Sequence, residues 1–183
     1  MFYVVLLAFV ASGVILLAPE VVRVLGGRQY VEAVYLIPGF VLAMFIQSTT
    51  TLFTIILTYD KNITKTAVWT GIIAVLSVVA KILLLPRTGY LGLPYVNIVA
   101  FGALFVINYF LVRKAGYGAA VNLAGIGGLL LMVACVMIGG LLLYPYPQLR
   151  YAVIAGVGVI FVVFAAKKKT LILRLLKKAR KKK

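Results

Sequence analysis

The chain has 183 residues, is 64% hydrophobic and has a mean hydropathy of +1.15. Charged residues make up 12%, against about 25% in ordinary soluble domains. The formal charge is +16, from 19 Lys and Arg against 3 Asp and Glu, with no His. This composition argues against a single soluble core and leaves no histidine for catalysis or metal binding.

Apolar runs of about twenty residues are long enough to cross a bilayer as helices. Backbone groups in lipid must bond internally, so helices or a closed barrel are the alternatives. The runs here are continuous rather than alternating, which selects an all-α, polytopic membrane fold. Six spans are expected: 2–18, 34–58, 65–85, 92–112, 121–143 and 151–166. A continuation of the first past Pro19 toward Val24 stays open. The connections "YDKNITK", "PRTGYLGLP", "RKAGYG" and "YPYPQLR" are short and rich in turn-forming residues. The expected organisation is a six-helix transmembrane lobe over 1–166 and a cytoplasmic polybasic tail over 167–183. The start "MFYVVLLAFVASG" lacks a basic region and is not read as a cleaved signal peptide.

Lys and Arg placement sets the expected orientation. The last span is followed by "KKKTLILRLLKKARKKK", with no acidic residue, so this tail is expected on the cytoplasmic side of the cell membrane. Six spans then return the N-terminus to that side, with 19–33 and 86–91 outside. Within the tail, Leu171, Ile172, Leu175, Leu176 and Ala179 share one helical face. Arg174, Lys177, Lys178 and Lys181 share the other. Together with Lys167, Lys168 and Lys169, this suits a helix lying on anionic lipid, each basic residue adding roughly 1 kcal/mol. The plainer alternative is a solvated anchor. No groove-reading module or stacking platform accompanies the charge, so nucleic acid is not an expected partner.

Constellations for catalysis are nearly absent. The acids are Glu20, Glu32 and Asp60, with Asp60 expected on the side opposite the other two. There is no metal-ligand spacing and no Gly-rich phosphate loop. Cys135 is single and has no intrachain disulfide partner. The expectation is a non-enzyme without cofactor or metal.

Polar residues within the spans are the candidate functional groups. Gln47, Thr51, Thr54 and Thr58 lie at helical spacing in the second span. Thr66, Thr70, Ser77 and Lys81 form a similar stripe in the third, and Asn97 and Asn108 share a face of the fourth. These stripes either line an aqueous cavity or hydrogen-bond neighbouring helices, where each bond contributes about 0.6–2 kcal/mol. Lys81, in "SVVAKILLLP", stands out among the cations because it lies well inside a span. It either snorkels to the outer interface or presents a positive charge to an anionic substrate. Ala124-x-x-x-Gly128 and Ala152-x-x-x-Gly156 are spacings that permit close helix approach.

The stretch "LLAPEVVRVLGGRQYVEAVYLIPGFVLAMF" joins an apolar helix, a Pro-acid step and an amphipathic turn. Gly27, Tyr30 and Ala33 follow in a G-x-x-Y-x-x-A pattern that opens the next helix. With "ILTYDKNITK" and "LLLPRTGYLGLPYVNIVAF", where Pro86, Gly89 and Gly92 fit a hairpin pattern, it resembles the C-terminal half of polysaccharide exporters. These belong to the multidrug/oligosaccharidyl-lipid/polysaccharide flippase superfamily. Leu93-Pro94 departs from the family's usual small pair, and Val79-Ala80-Lys81 stands where the family often has Asn. The resemblance covers about residues 10–115.

It implies a lobe that moves a polyprenyl-pyrophosphate-linked glycan across the cytoplasmic membrane by alternating access, without covalent chemistry. The candidate substrate-binding residues are Lys81, Gln47, Thr51, Thr54, Ser77 and Arg23. The implied partners are the bilayer and its anionic lipids, the lipid-linked glycan, and a second six-helix lobe or a second copy of the chain. A cation-coupled drug exporter, a non-transporting scaffold for glycan-assembly enzymes and an inactive fragment are the alternatives. The elbow at 19–33 is read as structural, with substrate contact by Arg23 or Arg28 as the other reading.

Overall fold

The structure is a computed structural model and describes residues 2–59, 63–118, 122–144, 146, 148–154 and 156. It is all-α, with no strand among the described residues. Helices α1 (Phe2–Leu16), α2 (Ala18–Leu25), α3 (Ile37–Tyr59), α4 (Ile63–Thr88), α5 (Leu93–Lys114) and α6 (Leu123–Leu143) follow in order. Short 3-10 segments at Arg28–Tyr35 and Gly89–Gly92 join α2 to α3 and α4 to α5. The described residues fall into two compact units, divided between Leu142 and Leu143.

Three helical runs are long and apolar enough to cross a membrane: Glu32–Tyr59, Thr64–Lys114 and Leu123–Leu143. The bent pair Tyr3–Leu16 and Ala18–Val24 makes a fourth if counted as one span. The 51-residue run Thr64–Lys114 contains both α4 and α5. The six expected spans thus appear as three or four candidates. The expected sixth, 151–166, falls largely outside the described residues, as do Lys167, Lys168, Lys169, Arg174, Lys177 and Lys178 of the tail.

The first expected span does not run straight through Pro19. It breaks at Leu17, and α2 leaves α1 at 62°. Proline has no N–H to donate to the carbonyl four residues back, and it suits the first turn of a new helix. Glu20 also sits in that first turn, where the helix dipole favours a negative charge. At its other end α2 closes on Gly26, whose N–H bonds the Val22 carbonyl at 2.7 Å.

At Pro86 the outcome is reversed. The expected turn begins there, yet α4 continues to Thr88. The missing N–H costs one hydrogen bond close to the helix end. The Thr88 hydroxyl bonds the Leu84 carbonyl at 3.0 Å and supports that last turn. The end of α5 is a glycine-dependent stop. Gly116 takes φ 88°, its N–H bonds the Arg113 carbonyl and the Tyr117 N–H bonds the Val112 carbonyl, which is the paired closure that a left-handed glycine permits. Asn122 starts α6 by accepting the Gly125 N–H at 2.9 Å.

Packing orders the helices. Gly39 meets Pro94 near the start of α3 and α5, and Phe53 meets Phe105 further along both, with ring centroids 5.1 Å apart. These two helices therefore run parallel. A Cβ on Gly39 would lie 2.6 Å from Pro94 Cβ, so glycine sets how closely α3 approaches α5. In the reverse direction, α4 folds back along α5 from the Gly89–Gly92 turn. Val4, Ala8 and Ile15 of α1 join Leu42, Phe45 and Ile46 of α3 and Val133 of α6 in one buried cluster. A second cluster holds Phe53, Leu57, Val112 and Ile126. Much of α4 faces outward: Val68, Val75, Val79 and Leu83 are all exposed.

On the turn side, the Tyr90 hydroxyl donates to the Glu32 carboxylate and ties the segment before α3 to the one before α5. The expected outer stretches 19–33 and 86–91 therefore meet at one end of the helices. In the second unit, helix resumes at 148. Arg150 is buried there, and its guanidinium lies 5.3 Å from the Tyr151 ring centroid.

Candidate functional site

Three helices contribute to one polar cavity of about 470 Å3. From α3 come Gln47, Thr50, Thr51 and Thr54; from α4, Thr66, Ala67 and Thr70; from α5, Phe101, Leu104 and Asn108. Three of the expected polar stripes thus converge. The volume falls in the range of pockets that hold small organic ligands, about 300–1,000 Å3. None of its described lining residues carries a formal charge.

The threonines are internally bonded. Thr50, Thr51, Thr54 and Thr70 donate to the carbonyls of Ile46, Gln47, Thr50 and Thr66, at 2.9, 3.1, 3.3 and 2.8 Å. Such back-bonding satisfies the hydroxyl proton within its own helix and leaves the oxygen lone pairs for other partners. Asn108 Nδ2 likewise donates to the Leu104 carbonyl at 3.0 Å. Because a carbonyl only accepts, this bond also fixes which end of the amide is nitrogen.

Two lining atoms are left over. Asn108 Oδ1 and Thr66 Oγ1 have no hydrogen-bond partner, although Asn108 is 2% exposed and Thr66 4% exposed. A buried polar atom without a partner costs about 1–3 kcal/mol, which an incoming ligand or water can recover.

Not all expected site residues join this cavity. Ser77 lines a second, apolar one of about 370 Å3 between α4 and α5, with Ile73, Leu76, Ala80, Leu84, Tyr95, Val96, Val99, Ala100 and Ala103. Lys81 is half-buried and lines neither. Thr66 and Lys81 are fifteen residues apart, about 22 Å along a helix at 1.5 Å per residue. Arg23 is exposed on α2 and lines neither cavity. Asn97 shares the face of Asn108 in the sequence but does not line the polar cavity. Thr50 does line it and was absent from the expected stripe. Its adjacency to Thr51 was the available signal, since neighbouring helical positions 100° apart both border a wide cleft.

Tyr90 is held above the ordinary tyrosine value of 10.0, chiefly by its hydrogen bond to Glu32, then by burial and by the carboxylate charge. No cluster of three or more potential metal ligands occurs among the described residues. No protein-family model, curated protein or solved structure matches the chain.

Proposed function

We propose that the chain is a membrane transporter lobe that flips a lipid-linked oligosaccharide across the cytoplasmic membrane. The single observation that carries this reading is the cavity walled by Gln47, Thr51, Thr54, Thr66 and Asn108 within otherwise apolar helices. Polar side chains are expensive in a bilayer and collect where a bundle binds or moves something polar. The apolar cavity beside it, over Leu76 to Leu84, supports a ligand that is part sugar and part lipid. Alternating access requires a second bundle, so the working unit pairs this lobe with another lobe or a second copy. Both termini are cytoplasmic in this reading.

The test is reconstitution of the purified chain, alone and with a candidate partner lobe. Entry of a fluorescent polyprenyl-pyrophosphate glycan into the inner leaflet is followed by protection from an external quencher. The expected result is flipping above that of protein-free liposomes. No flipping in either arrangement would favour the scaffold. Orientation is checked with Gln29→Cys in a Cys135→Ser background, which should react with an impermeant thiol reagent added outside intact cells. Labelling at the tail in place of Gln29 would invert the topology.

A further inference from the structure

We propose that the cavity between α3, α4 and α5 is a saccharide subsite that takes the uncharged, hydroxyl-bearing part of the ligand and rejects its phosphate. The assignment deepens the transport reading and rests on it for sugar as the source of the hydroxyls. What determines it is the balance of donors and acceptors. Four lining threonines have already given their protons to backbone carbonyls. They offer a ligand only lone pairs. Asn108 adds a buried carbonyl oxygen without a partner. Gln47 and the second Asn108 Nδ2 hydrogen add amide donors, but uncharged acceptor oxygens outnumber them, so the cavity asks for a ligand with many O–H donors.

A phosphate presents the reverse. Its oxygens are acceptors carrying negative charge, so beyond the few donors of Gln47, Asn108 and Thr66 they would face lone pairs. No described lining residue offers a compensating cation, and Lys81 lies eleven residues beyond Thr70, about 16 Å along α4. A sugar ring matches better: its hydroxyls donate to Asn108 Oδ1 and the threonine oxygens. The Thr66 hydroxyl, whose proton is uncommitted, can donate back to a ring or hydroxyl oxygen. Phe101 and Leu104 supply apolar surface for the C–H face of a ring.

The experiment uses the full chain in phosphatidylcholine nanodiscs prepared with a sugar-free detergent. Radiolabelled octyl β-glucoside and octyl phosphate, each below its micelle-forming concentration, are compared by equilibrium dialysis, with empty nanodiscs subtracting partition into lipid. The expected result is saturable glucoside binding and no octyl phosphate binding above partition. Thr66→Val and Asn108→Leu should each weaken glucoside binding about tenfold, the loss of roughly one hydrogen bond. Asn108→Leu should leave the thermal midpoint unchanged or higher, because it removes an unsatisfied buried oxygen. A residue acting only as inter-helix glue would lower it.

Octyl phosphate binding that depends on Asn108 would overturn the proposal. So would glucoside binding that both variants leave intact, or a requirement for sodium that marks the oxygens as a cation site. The two readings fail separately. Saturable, Asn108-dependent glucoside binding without flipping keeps the subsite and removes the transport function. Flipping together with glucoside binding that Asn108→Leu and Thr66→Val both leave intact removes the subsite and keeps transport.

Discussion

Between α4 and α5 lie two compartments of similar size and opposite chemistry. Thr66 and Thr70 line the polar one, while Leu76, Ala80 and Leu84 line the apolar one, with Ile73 at their border. All these residues recur at steps of three and four, so they belong to one face of one helix. The facing side of α5 changes in step, from Leu104 and Asn108 to Val96, Val99 and Ala103. The choice of residue along a single helical stripe divides this face into a half lined by threonines and a half lined mainly by aliphatic side chains. Only the threonine-lined half includes α3, which Gly39 brings close to Pro94 of α5.

The strongest way to break this division is at that contact. Gly39→Val puts a branched side chain where a single Cβ already overlaps Pro94. Overpacking of this kind costs about 1–3 kcal/mol, read as a lower thermal midpoint in micelles. Glucoside binding should fall with it, while alkyl binding in the α4–α5 compartment persists. Equal loss of both would mean that the compartments are one unit.

A smaller effect is expected from filling the apolar half. Ala80→Phe should reduce affinity for a long-chain polyprenyl glycan several-fold, on the order of 1 kcal/mol for displaced apolar contact. Binding of octyl β-glucoside should be retained. A selective loss of the short-chain ligand would reverse the assignment of the two halves.

Lys81 should matter less still. It lines neither compartment. Lys81→Ala should therefore change the flipping rate by less than about twofold, as expected for a side chain outside both linings. A deep loss that Lys81→Arg restores would return an anionic group to the site.

The smallest effect belongs to the Tyr90–Glu32 contact at the turn end. The raised value means that the folded chain favours the neutral phenol. Its stabilising contribution is complete below pH 10.0, the ordinary tyrosine value, and is lost as pH climbs through the raised one. In Glu32→Gln the phenol should titrate earlier, seen as a difference in phenolate absorbance between chains with Tyr90 and with Tyr90→Phe. An unchanged titration would mean that the contact is not formed in the membrane.

Periodicity made the polar stripes legible. Thr51, Thr54, Thr66, Thr70 and Asn108 were identifiable because a repeat of three or four marks a helix face. What it cannot reveal is which neighbour that face meets, so the convergence of three stripes appeared only with the packing. Lys81 drew attention as a cation within an apolar run, but its distance along the axis separates it from Thr66 and Thr70, the members of its stripe that line the polar cavity. Gly39 gave almost no signal in "IPGF", because the value of a missing Cβ depends on a proline 55 positions later. The two prolines show why local rules need context. Pro19 coincides with a 62° bend, whereas Pro86 leaves α4 running to Thr88, where few hydrogen bonds remain to be lost.

The back-bonded hydroxyls also bear on how such a chain enters a membrane. A helix leaving the ribosome meets lipid before it meets its neighbours, and each unpaired polar group raises the cost of that step. In α3, Thr49, Thr50, Thr51, Thr54 and Thr58 all donate within the helix, so their protons are satisfied while it is still alone. Asn108 brings part of its own satisfaction to α5 in the same way. A helix such as α3 can therefore insert with its threonine protons already satisfied, and the polar chamber comes into being only when the helices assemble.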